Sequence, residues 1–380
     1  MASIRGAHAT NSGQALSNVV EMSELFELEP EATPLTAITA RLKKTRTVEN
    51  AQFYNQTVRP LAQYTLGAAY LVGAGTVVVT DSTIFNVTDT IVNLRTFENL
   101  RITAINYGTH TLTVTRAVGT TAAAAGNLND VIMRIGNAQP EGGNIPESVL
   151  PLESHDYNYT QIFREPYKLT NTFKATKTYL GDARKRKIEE VSRKIRVDLE
   201  MRALFGERSE DLTGSTPLRT TAGLKTKITS NSYNPAGTMT ETQFSTNVLR
   251  AAGRYGAPEK LLVAGENILQ CLHFYGNQKM NIFQEDNTLG FKCMRYRSPF
   301  VDLLVVRHPR LRDARPSEMG VIVDPNNLRR VVLKGRELSL KVDRQANDYD
   351  GEYGEMLFEG GWETTLEETH MMIDGVTGPA

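Results

Sequence analysis

Histidine and cysteine, the residue types most often used as metal ligands or proton carriers, are few in this sequence and stand far apart. The six histidines are scattered singly at His8, His110, His155, His273, His308 and His370. Cys271 and His273 are the closest candidates for a metal pair, but they fall in a predicted helix, where residues i and i+2 point to different faces. We therefore predict no metal ion at this pair and none elsewhere.

The short motifs that mark common active sites are also missing from the sequence. It has no phosphate-binding loop of the form GxxxxGKS or GxxxxGKT, no HExxH zinc motif and no GxSxG nucleophile elbow. Gly73 and Gly75 have no third glycine and no helix after them, so they do not form a dinucleotide-binding turn. The sequence predicts no catalytic residue, no cofactor and no enzyme activity.

The acidic turn between Asp343 and Gly354 resembles a calcium-binding loop at first reading. With Gly351 taken as the glycine of such a loop, its pattern requires Asp at position 346 and a bidentate Glu at position 357. The chain has Ala346 and Leu357 there, so both ends of the pattern fail. We interpret the segment as a solvated turn.

A basic cluster at residues 184–187, continued by Arg193, Lys194 and Arg196, suggests contact with nucleic acid. Acidic residues interleave with these cations, which leaves only a small positive excess on this segment. The favoured interpretation is a charged solvent face with ion pairs between successive helical turns. Ion pairs between subunits, or weak contact with DNA, remain open alternatives.

Composition excludes several functional classes. Lys plus Arg and Asp plus Glu both number 43 in the 380 residues, so the net charge does not indicate a dedicated DNA-binding protein. Hydrophobic residues at 40% and charged residues at 23% are typical of a folded domain. No segment approaches the roughly 20 apolar residues that span a bilayer, and the N-terminus lacks the apolar core of a signal peptide. Two cysteines do not make a disulfide framework, so we expect cytosolic synthesis.

The elements begin with a polar segment. Residues 1–16 are small and polar without periodicity, and we interpret them as an arm. Between Ser17 and Leu28, apolar residues recur with the spacing of a short amphipathic helix, which Pro30 ends. This helix packs either on its own domain or on a neighbouring chain, and the sequence leaves both alternatives open.

A different pattern follows Gly67 and continues to about residue 140. Six short runs rich in β-branched residues are separated by Gly, Asn, Asp or Thr turns. The runs are Thr76–Thr80, Ile84–Val87, Ile91–Leu94, Leu100–Ile105, Thr111–Arg116 and Val131–Ile135. Short strands with regular turns are typical of small antiparallel barrels or sandwiches. We therefore predict an inserted all-β domain at residues 67–140.

The longest helix is predicted at Asp182–Phe205. Its apolar residues form one narrow stripe, Asp182 can cap its start, and Gly206 follows its end. A charged helix with a single apolar stripe is better suited to lie across a sheet than to be enclosed. From Thr240 onward, helices and short apolar strands alternate, which predicts an α/β domain, and the segment around Trp362 is predicted to be a strand.

The order of these elements resembles the Hong Kong 97-type capsid fold of tailed bacteriophages, in the branch whose extended loop carries a β-rich insertion. The resemblance covers residues 30–375 and depends on the order of short segments rather than on one motif. These segments are Pro34–Ile38, Asn50–Tyr54, Asn158–Phe163, Thr170–Thr178, Glu200–Gly206, Thr221–Leu224, Pro258–Val263, Val323–Pro325 and Glu359–Glu367. Tyr54 stands where the family pattern leads us to expect Trp.

The resemblance implies an α+β fold divided into the parts of that capsid fold. Residues 1–40 would form the N-terminal arm, and residues 41–178 the extended loop with a β-barrel or sandwich at 67–140. The spine helix and the first part of the peripheral domain would follow at 179–235. Residues 236–335 would form the axial α/β domain and 336–380 the second part of the peripheral domain.

The resemblance also implies a function. The chain would be a structural major capsid protein that self-assembles into hexamers and pentamers of an icosahedral head around double-stranded DNA. Its expected partners are further copies of itself, a portal protein, and scaffolding and decoration or cement proteins. We expect weak non-specific contact with the enclosed DNA and no contact with a membrane. The protein would reside in the virion after assembly in the host bacterial cytoplasm, and Met1 favours an uncleaved N-terminus.

Ten residues are expected at contacts between subunits. They are Leu25, Phe26, Phe53, Tyr54, Tyr159, Phe163, Arg184, Arg186, Arg193 and Trp362. Two other interpretations remain open. The first is the shell of an encapsulin-like nanocompartment, which has a similar fold and packages protein cargo. The second is an enzyme or a glycan-binding protein whose β domain holds the ligand.

Overall fold

The computed structural model describes residues 33–58, 64–142, 153–176, 182–278, 283–286 and 293–380. The chain divides into two compact units, one made of residues 56–156 and the other of the segments before and after it. The predicted helix Ser17–Leu28, with Leu25 and Phe26, lies outside the described residues. Within the described part of the chain, no helix is long and apolar enough to cross a membrane.

The helices are α1 Pro34–Arg41, α2 Asn171–Ala175, α3 Ala183–Phe205, α4 Leu224–Lys227, α5 at 241–252 and α6 Glu266–Gln278. The strands up to α3 are β1 Thr45–Val48, β2 Gln52–Val58, β3 Tyr64–Thr65, β4 Thr76–Val78, β5 Asp89–Asn93, β6 Asn99–Asn106, β7 Thr111–Thr115, β8 Val131–Asn137, β9 Glu153–Tyr159 and β10 Gln161–Thr170. The later strands are β11 Ser209–Asp211, β12 Leu218–Thr220, β13 Ser232–Tyr233, β14 Gly237–Met239, β15 Glu259–Ala264, β16 Phe283–Asp286, β17 Cys293–Arg297, β18 Asp302–Arg307, β19 Gly320–Val323, β20 Leu328–Leu333, β21 Ser339–Lys341, β22 Gly351–Thr364, β23 Met371–Ile373 and β24 Val376–Pro379.

Strands β3 to β8 form a six-stranded antiparallel barrel within the unit of residues 56–156. Their hydrogen-bonded order is β3, β8, β5, β6, β7 and β4. The two outer strands meet at a bridge between Leu66 and Val79, beside which the Thr80 N–H donates to the carbonyl oxygen of Thr65 at 3.0 Å. Within residues 64–142, closure therefore leaves no long open strand edge on which another chain could pair.

Alternate residues of these strands point into the barrel, as the two-residue period of a strand requires. The buried residues inside include Leu66, Val77, Ile91, Leu100, Ile102, Leu112, Val114 and Ile132. The run Ile84–Val87 was predicted as a strand, but it forms a turn. In this turn the Asn86 N–H donates to Asp89 Oδ2 at 2.8 Å, and Ile84 and Phe85 are buried in the barrel core. The apolar run thus reflects burial within a turn rather than strand pairing.

In the other unit, a five-stranded sheet contains β1, β20, β22 and β10 in that order, and β21 also pairs with β22. The long strand β22 pairs antiparallel with β10 from Gly351 opposite Thr170 to Gly360 opposite Gln161. Strands β1 and β20 are parallel. This sheet is the platform on which α3 lies.

Helix α3 packs its apolar stripe against the sheet, and its buried residues include Val191, Ile195, Leu199 and Ala203. The Nε1–H of Trp362 on β22 donates to the carbonyl oxygen of Leu199 at 3.1 Å. The cap at the start of the helix is Asp182, whose Oδ1 accepts the Arg184 N–H at 2.8 Å. A charged helix with a narrow apolar stripe therefore lies on a sheet.

Gly206 follows α3 for a reason that differs from the expected one. Its φ is −58°, outside the left-handed region that favours glycine at helix ends. A Cβ at this position would lie 2.5 Å from the carbonyl oxygen of Arg202 and 2.6 Å from that of Thr221. Glycine is required here because the backbone after α3 passes very close to the segment before α4.

A seven-stranded sheet in the same unit has the order β13, β23, β19, β15, β18, β17 and β16. Helices α5 and α6 share its core through buried residues that include Phe244, Val248, Ile268 and Leu272. The strand partners differ from the expected division of the chain at residue 335. Strand β20 pairs with β1 and β22 in the five-stranded sheet, and β23 pairs with β19 in the seven-stranded sheet. Local apolar patterns predict strands but do not identify partners far away in the sequence.

Candidate functional site

One pair of side chains resembles a nucleophile with its base. The Oγ of Ser82 lies 3.1 Å from Nδ1 of His110. Ser82 is fully buried, and its backbone N–H also points to this Nδ1, at 3.3 Å. The pair therefore stabilises a turn of the barrel and offers no accessible nucleophile. Among the residues that the structure describes, no group of three or more His, Cys, Asp or Glu side chains could hold a metal ion.

Lys260 and His370 are fully buried beside the seven-stranded sheet. The Nζ of Lys260 donates to three backbone carbonyl oxygens, including that of Thr369 at 2.5 Å. Burial lowers the pKa of Lys260 to about 8, against an opposing effect of Asp324. Burial also lowers the pKa of His370 to about 4, and its Nδ1 accepts the Asp324 N–H at 3.2 Å. Both side chains are thus used to join neighbouring segments of the domain.

Four buried glutamates lie along β22, with Glu352 on one face of the strand and Glu355, Glu359 and Glu363 on the other. Each forms an ion pair with a basic residue from another part of the chain. The pairs are Glu352 with Arg184 and Lys174, Glu355 with Arg164, Glu359 with Arg336, and Glu363 with Arg46. This network ties β22 to α2, α3, β10 and β1. No local pattern in the sequence predicts these pairs, because most of the partners are more than a hundred residues apart.

Arg184, one of the predicted contact residues, belongs to this network. Its Nε lies 2.9 Å from Glu352 Oε1, and Lys174 Nζ lies 2.7 Å from Glu352 Oε2. The hydroxyl of Tyr167 donates to the same carboxylate at 2.7 Å. Burial alone would raise the pKa of Glu352, but hydrogen bonds from Lys174, Tyr167 and Arg184 outweigh it and lower the pKa below its ordinary value. Arg184 therefore already has a partner within its own chain.

Another buried carboxylate, that of Glu200 on α3, holds the start of α1. It accepts the backbone N–H groups of Leu35 and Thr36 at 2.7 Å each, and it also accepts the Thr36 hydroxyl. Nε2 of the buried His308 lies 3.3 Å from Glu200 Oε1. A carboxylate at a helix N-terminus satisfies backbone N–H groups that have no partner within the helix. The start of α1 is thus fixed to α3.

Four aromatic residues predicted at contacts between subunits are buried within the chain itself. Phe53 packs in a small cluster with residues of β1 and β20. Phe163 and Trp362 lie in the core beneath α3. The hydroxyl of the buried Tyr159 donates to Glu210 at 2.9 Å. These four residues therefore offer no surface to a second subunit, because an aromatic residue in a strand is as typical of a core as of an interface.

Tyr54 is more than half exposed, unlike the other predicted aromatic residues. Its ring centroid lies 6.0 Å from that of Tyr157, and the Arg208 guanidinium covers the Tyr157 ring at 3.9 Å. Arg186 and Arg193 are half-buried on α3. The structure brings Tyr54 and Tyr159 together through Tyr157, whose centroid is 5.7 Å from that of Tyr159.

A groove of about 460 Å³ lies between α3 and β10. Its apolar lining includes Ile162, which is about half exposed, together with Met201 and Phe205. Arg164 and Arg202 provide cations at its margin, and Asp198 provides a carboxylate. Ile162 points away from the core because it alternates with the buried Phe163 along the strand. An exposed apolar groove with a charged margin can bind another polypeptide segment.

Comparison with known proteins gives the family. The sequence matches the family described as SU10 major capsid protein over residues 9–377. No curated protein sequence matches the chain. Among solved structures, the chain is similar to an encapsulin complex from Synechococcus elongatus PCC 7942, with a TM-score of 0.50, 8% identity and coverage of 100% of this chain and 99% of that chain. It is also similar to a structure from Microbacterium phage Oxtober96, with a TM-score of 0.50, 10% identity and coverage of 98% and 100%.

The two kinds of comparison support different conclusions. Similarity to solved structures at such low identity shows the fold alone, which is the α+β Hong Kong 97-type capsid fold that the sequence predicted. The family match extends over nearly the whole chain, including both sheets and the barrel. The chain therefore belongs to the SU10 major capsid protein family.

Proposed function

We propose that this chain, a structural capsid protein that self-assembles, forms the hexamers and pentamers of an icosahedral phage head that encloses double-stranded DNA. It performs this role without catalysing a reaction. The observation that carries the proposal is the family match over residues 9–377, together with a capsid fold that includes both sheets of the larger unit. The accessible surfaces of the described chain present an apolar groove and no convergent catalytic group, which also supports a role in assembly.

Within this proposal, the parts of the chain take the roles of the capsid fold. Residues 1–40 act as the N-terminal arm, and residues 41–178 form the extended loop region that carries the barrel. Helix α3 is the spine, and it belongs to the peripheral domain with the five-stranded sheet. The seven-stranded sheet, from about residue 236, is the axial domain, to which the chain end at β23 contributes.

We further propose the partners that a phage head requires. They are a portal protein, scaffolding and decoration or cement proteins, and the enclosed genome through weak non-specific contact. Assembly takes place in the host bacterial cytoplasm and ends in the virion. The neutral net charge supports the weak contact with DNA, because tight binding of phosphates needs an excess of cations.

The groove between α3 and β10 is our candidate for a contact between subunits. Several modest contacts of this kind around a ring stabilise a closed shell far more than any one of them alone. Replacing Ile162 by Lys would place a charge in the groove without disturbing the buried side of β10. Leu212→Lys is the matched control, because Leu212 is also largely exposed but lies in the loop after β11.

Sedimentation of the purified protein tests this function. We expect the unmodified chain and the Leu212→Lys variant to form large particles, and the Ile162→Lys variant to remain as monomers or capsomers with an unchanged circular dichroism spectrum. An unmodified chain that remains monomeric and binds a sugar would instead support a glycan-binding or enzymatic role for the barrel.

The shell of an encapsulin-like nanocompartment is the alternative function with the same fold. The similarity to the encapsulin has the same TM-score as the similarity to the phage structure, so fold alone does not separate them. The contents of particles isolated from the native source distinguish the phage head from the compartment. Nuclease-protected double-stranded DNA would support the phage head, whereas a single enriched cargo protein without DNA would support the compartment.

A further inference from the structure

The two ends of the barrel differ in their connections. In an antiparallel barrel, successive loops alternate between the ends. The loops at residues 67–75, 94–98 and 116–130 therefore share one end, which we name the barrel tip. The chain enters the barrel at β3 and leaves it after β8 at the opposite end. The tip is thus remote from both connections to the rest of the chain.

The barrel tip exposes large apolar side chains on all three of its loops. Leu71 is 79% exposed and Phe97 is 68% exposed, and Val72 and Leu128 are both more than half exposed. Phe97 also has a φ of +57°, a conformation that is unfavourable for a bulky residue. A clustered set of exposed apolar residues marks an interaction site more often than single exposed ones do. An aromatic residue does not stabilise this backbone conformation.

A buried ion pair holds the three loops of the barrel tip together. The guanidinium of Arg116 lies 2.7 Å from the Glu98 carboxylate, and it also donates to the carbonyl oxygens of Leu71 and Ala124. Burial alone would raise the pKa of Glu98, but hydrogen bonds from Arg116 and two backbone N–H groups outweigh it and lower the pKa. The four exposed apolar residues are therefore presented on a rigid surface, which reduces the entropy lost on binding.

Glycine at position 126 contributes to this rigidity. A Cβ there would lie 2.3 Å from the ring of Tyr70, so only glycine allows the ring to pack against this loop. The Arg116 guanidinium covers the same ring at 4.7 Å, and the Tyr70 hydroxyl accepts from Asn93 Nδ2 at 3.2 Å. One tyrosine thus connects the first and third loops of the tip to the barrel wall.

Charged residues are sparse in the barrel, and positive and negative ones are equal in number. Residues 64–140 contain four arginines, four acidic residues and no lysine, which is eight charged residues among 77, whereas the whole chain is 23% charged. Three of the four arginines pair with three of the four acidic residues. These pairs are Arg95 with Asp130, Arg116 with Glu98, and Arg134 with Asp89. Binding to a nucleic acid, which requires unpaired cations, does not fit this surface.

We propose that the barrel tip binds the barrel tip of a second copy of this chain, through a two-fold contact centred on Phe97 and Leu128. A contact between identical patches must avoid repulsion between like charges, and a neutral apolar surface meets that condition. A partner with a charged surface would lose hydration there without gaining an ion pair. The inference depends on the proposed function only because shell assembly brings many copies to a high local concentration.

Cross-linking in assembled shells tests the proposal. The Leu128→Cys variant places a thiol at the tip, and Thr109→Cys places one on the exposed β6–β7 turn at the opposite end. Shells of each variant and of the unmodified protein, which reports the background from Cys271 and Cys293, are treated with a short bis-maleimide and separated on a denaturing gel. We expect about tenfold more covalent dimer from Leu128→Cys than from Thr109→Cys, because the contact raises the effective concentration of one tip around another.

Each outcome of this test has a distinct meaning. Dimers joined through both introduced thiols, identified by mass spectrometry, would support contact between two tips. Intact shells with equal dimer formation in the two variants would overturn the contact while leaving the proposed function in place. Attachment of the Leu128→Cys thiol to a different protein would also overturn it. Failure of the unmodified chain to form shells would count against the proposed function, and cross-linking of Leu71→Cys shells replaces the test if Leu128→Cys alone fails to assemble.

Discussion

The ion pair that holds the barrel tip is more deeply buried than the ion pairs along β22 in the five-stranded sheet. In the barrel pair Arg116–Glu98, the two side chains are 11% and 0% exposed. In the sheet pair Arg164–Glu355, they are 63% and 11% exposed. The Arg116–Glu98 pair places both charges inside the barrel, where they hold its loops, whereas the Arg164–Glu355 pair buries the glutamate and leaves the arginine partly in water.

The barrel and the five-stranded sheet therefore present different kinds of surface for assembly. The barrel has few charged residues, equal in number for the two signs, and exposes an apolar tip. The sheet and α3 keep many charges at the surface, next to an apolar groove. A neutral patch is suited to meet an identical patch, whereas a charged margin favours a partner segment with a complementary pattern. The two units therefore lead to different expectations for substitutions of the same chemical type.

The largest effect is expected for Trp362→Ala in the sheet. Trp362 is almost fully buried beneath α3 and donates to the Leu199 carbonyl oxygen. Its removal leaves a large cavity and takes away a second donor to the Leu199 carbonyl oxygen, so we expect the free energy of unfolding to fall by about 4 kcal/mol. Urea unfolding of unassembled subunits, followed by circular dichroism, measures the change.

Tyr54→Ala is the control for this substitution, because its ring is more than half exposed. Its effect should remain within about 0.5 kcal/mol, as for most surface substitutions. Equal destabilisation by the two variants would contradict the assignment of Trp362 to the core and of Tyr54 to the surface.

The next effect compares the two ion pairs directly. Arg116→Met leaves the carboxylate of Glu98 buried without its partner, and we expect a loss of about 3 kcal/mol in the barrel. Arg164→Met removes a mostly solvated arginine from the sheet, for which we expect a much smaller loss of stability. Hydrogen exchange, measured for each variant, reports the stability of the barrel amides and of the sheet amides separately. A larger loss for Arg164→Met would reverse the comparison.

Acid should destabilise the domain that contains His370. The pKa of His370 is lowered by burial to about 4 in the folded chain, against an ordinary value of 6.5, so the unfolded chain binds more protons between these values. Stability is therefore lost as the pH falls from 6.5 to 4, by about 3 kcal/mol for this group. His370→Asn retains an acceptor for the Asp324 N–H and does not titrate. Thermal unfolding should show a flatter pH dependence for this variant, and an unchanged slope would contradict the role of His370.

The smallest effect concerns an ion pair on the solvent face of α3. Lys187 Nζ lies 2.7 Å from Glu190 Oε2, one helical turn away. Glu190→Gln should cost about 0.3 kcal/mol, and less at high salt. Thermal unfolding at two salt concentrations measures it. A loss of several kcal/mol would show that this face of the helix is not solvated as we describe.

The sequence predicted the helices and strands better than it predicted which strands pair with each other. The stripe of α3 and the cap at Asp182 follow from the local pattern, and five of the six predicted strands of the barrel form strands. The turn at Ile84–Val87 could not be distinguished from a strand, because burial produces the same apolar run in both. The pairing of β20 and β23 depends on contacts between distant segments, which no local period contains.

The candidate site was less predictable, for a related reason. Phe163 and Trp362 were predicted at contacts between subunits, but they lie in the core of the chain, because a sequence does not show whether an apolar residue is covered by its own chain or by a neighbour. The groove at Ile162 and the tip at Phe97 become visible only when exposure is known. The glutamates of β22 were missed because their partners come from distant elements.

Electron microscopy of particles formed by the purified, unmodified chain tests the central claim most directly. We expect closed shells with pentamers at their vertices, in which α3 and both sheets of each subunit can be traced. A chain that remains monomeric at high concentration, or that forms particles without closed symmetry, would contradict its role as a capsid subunit.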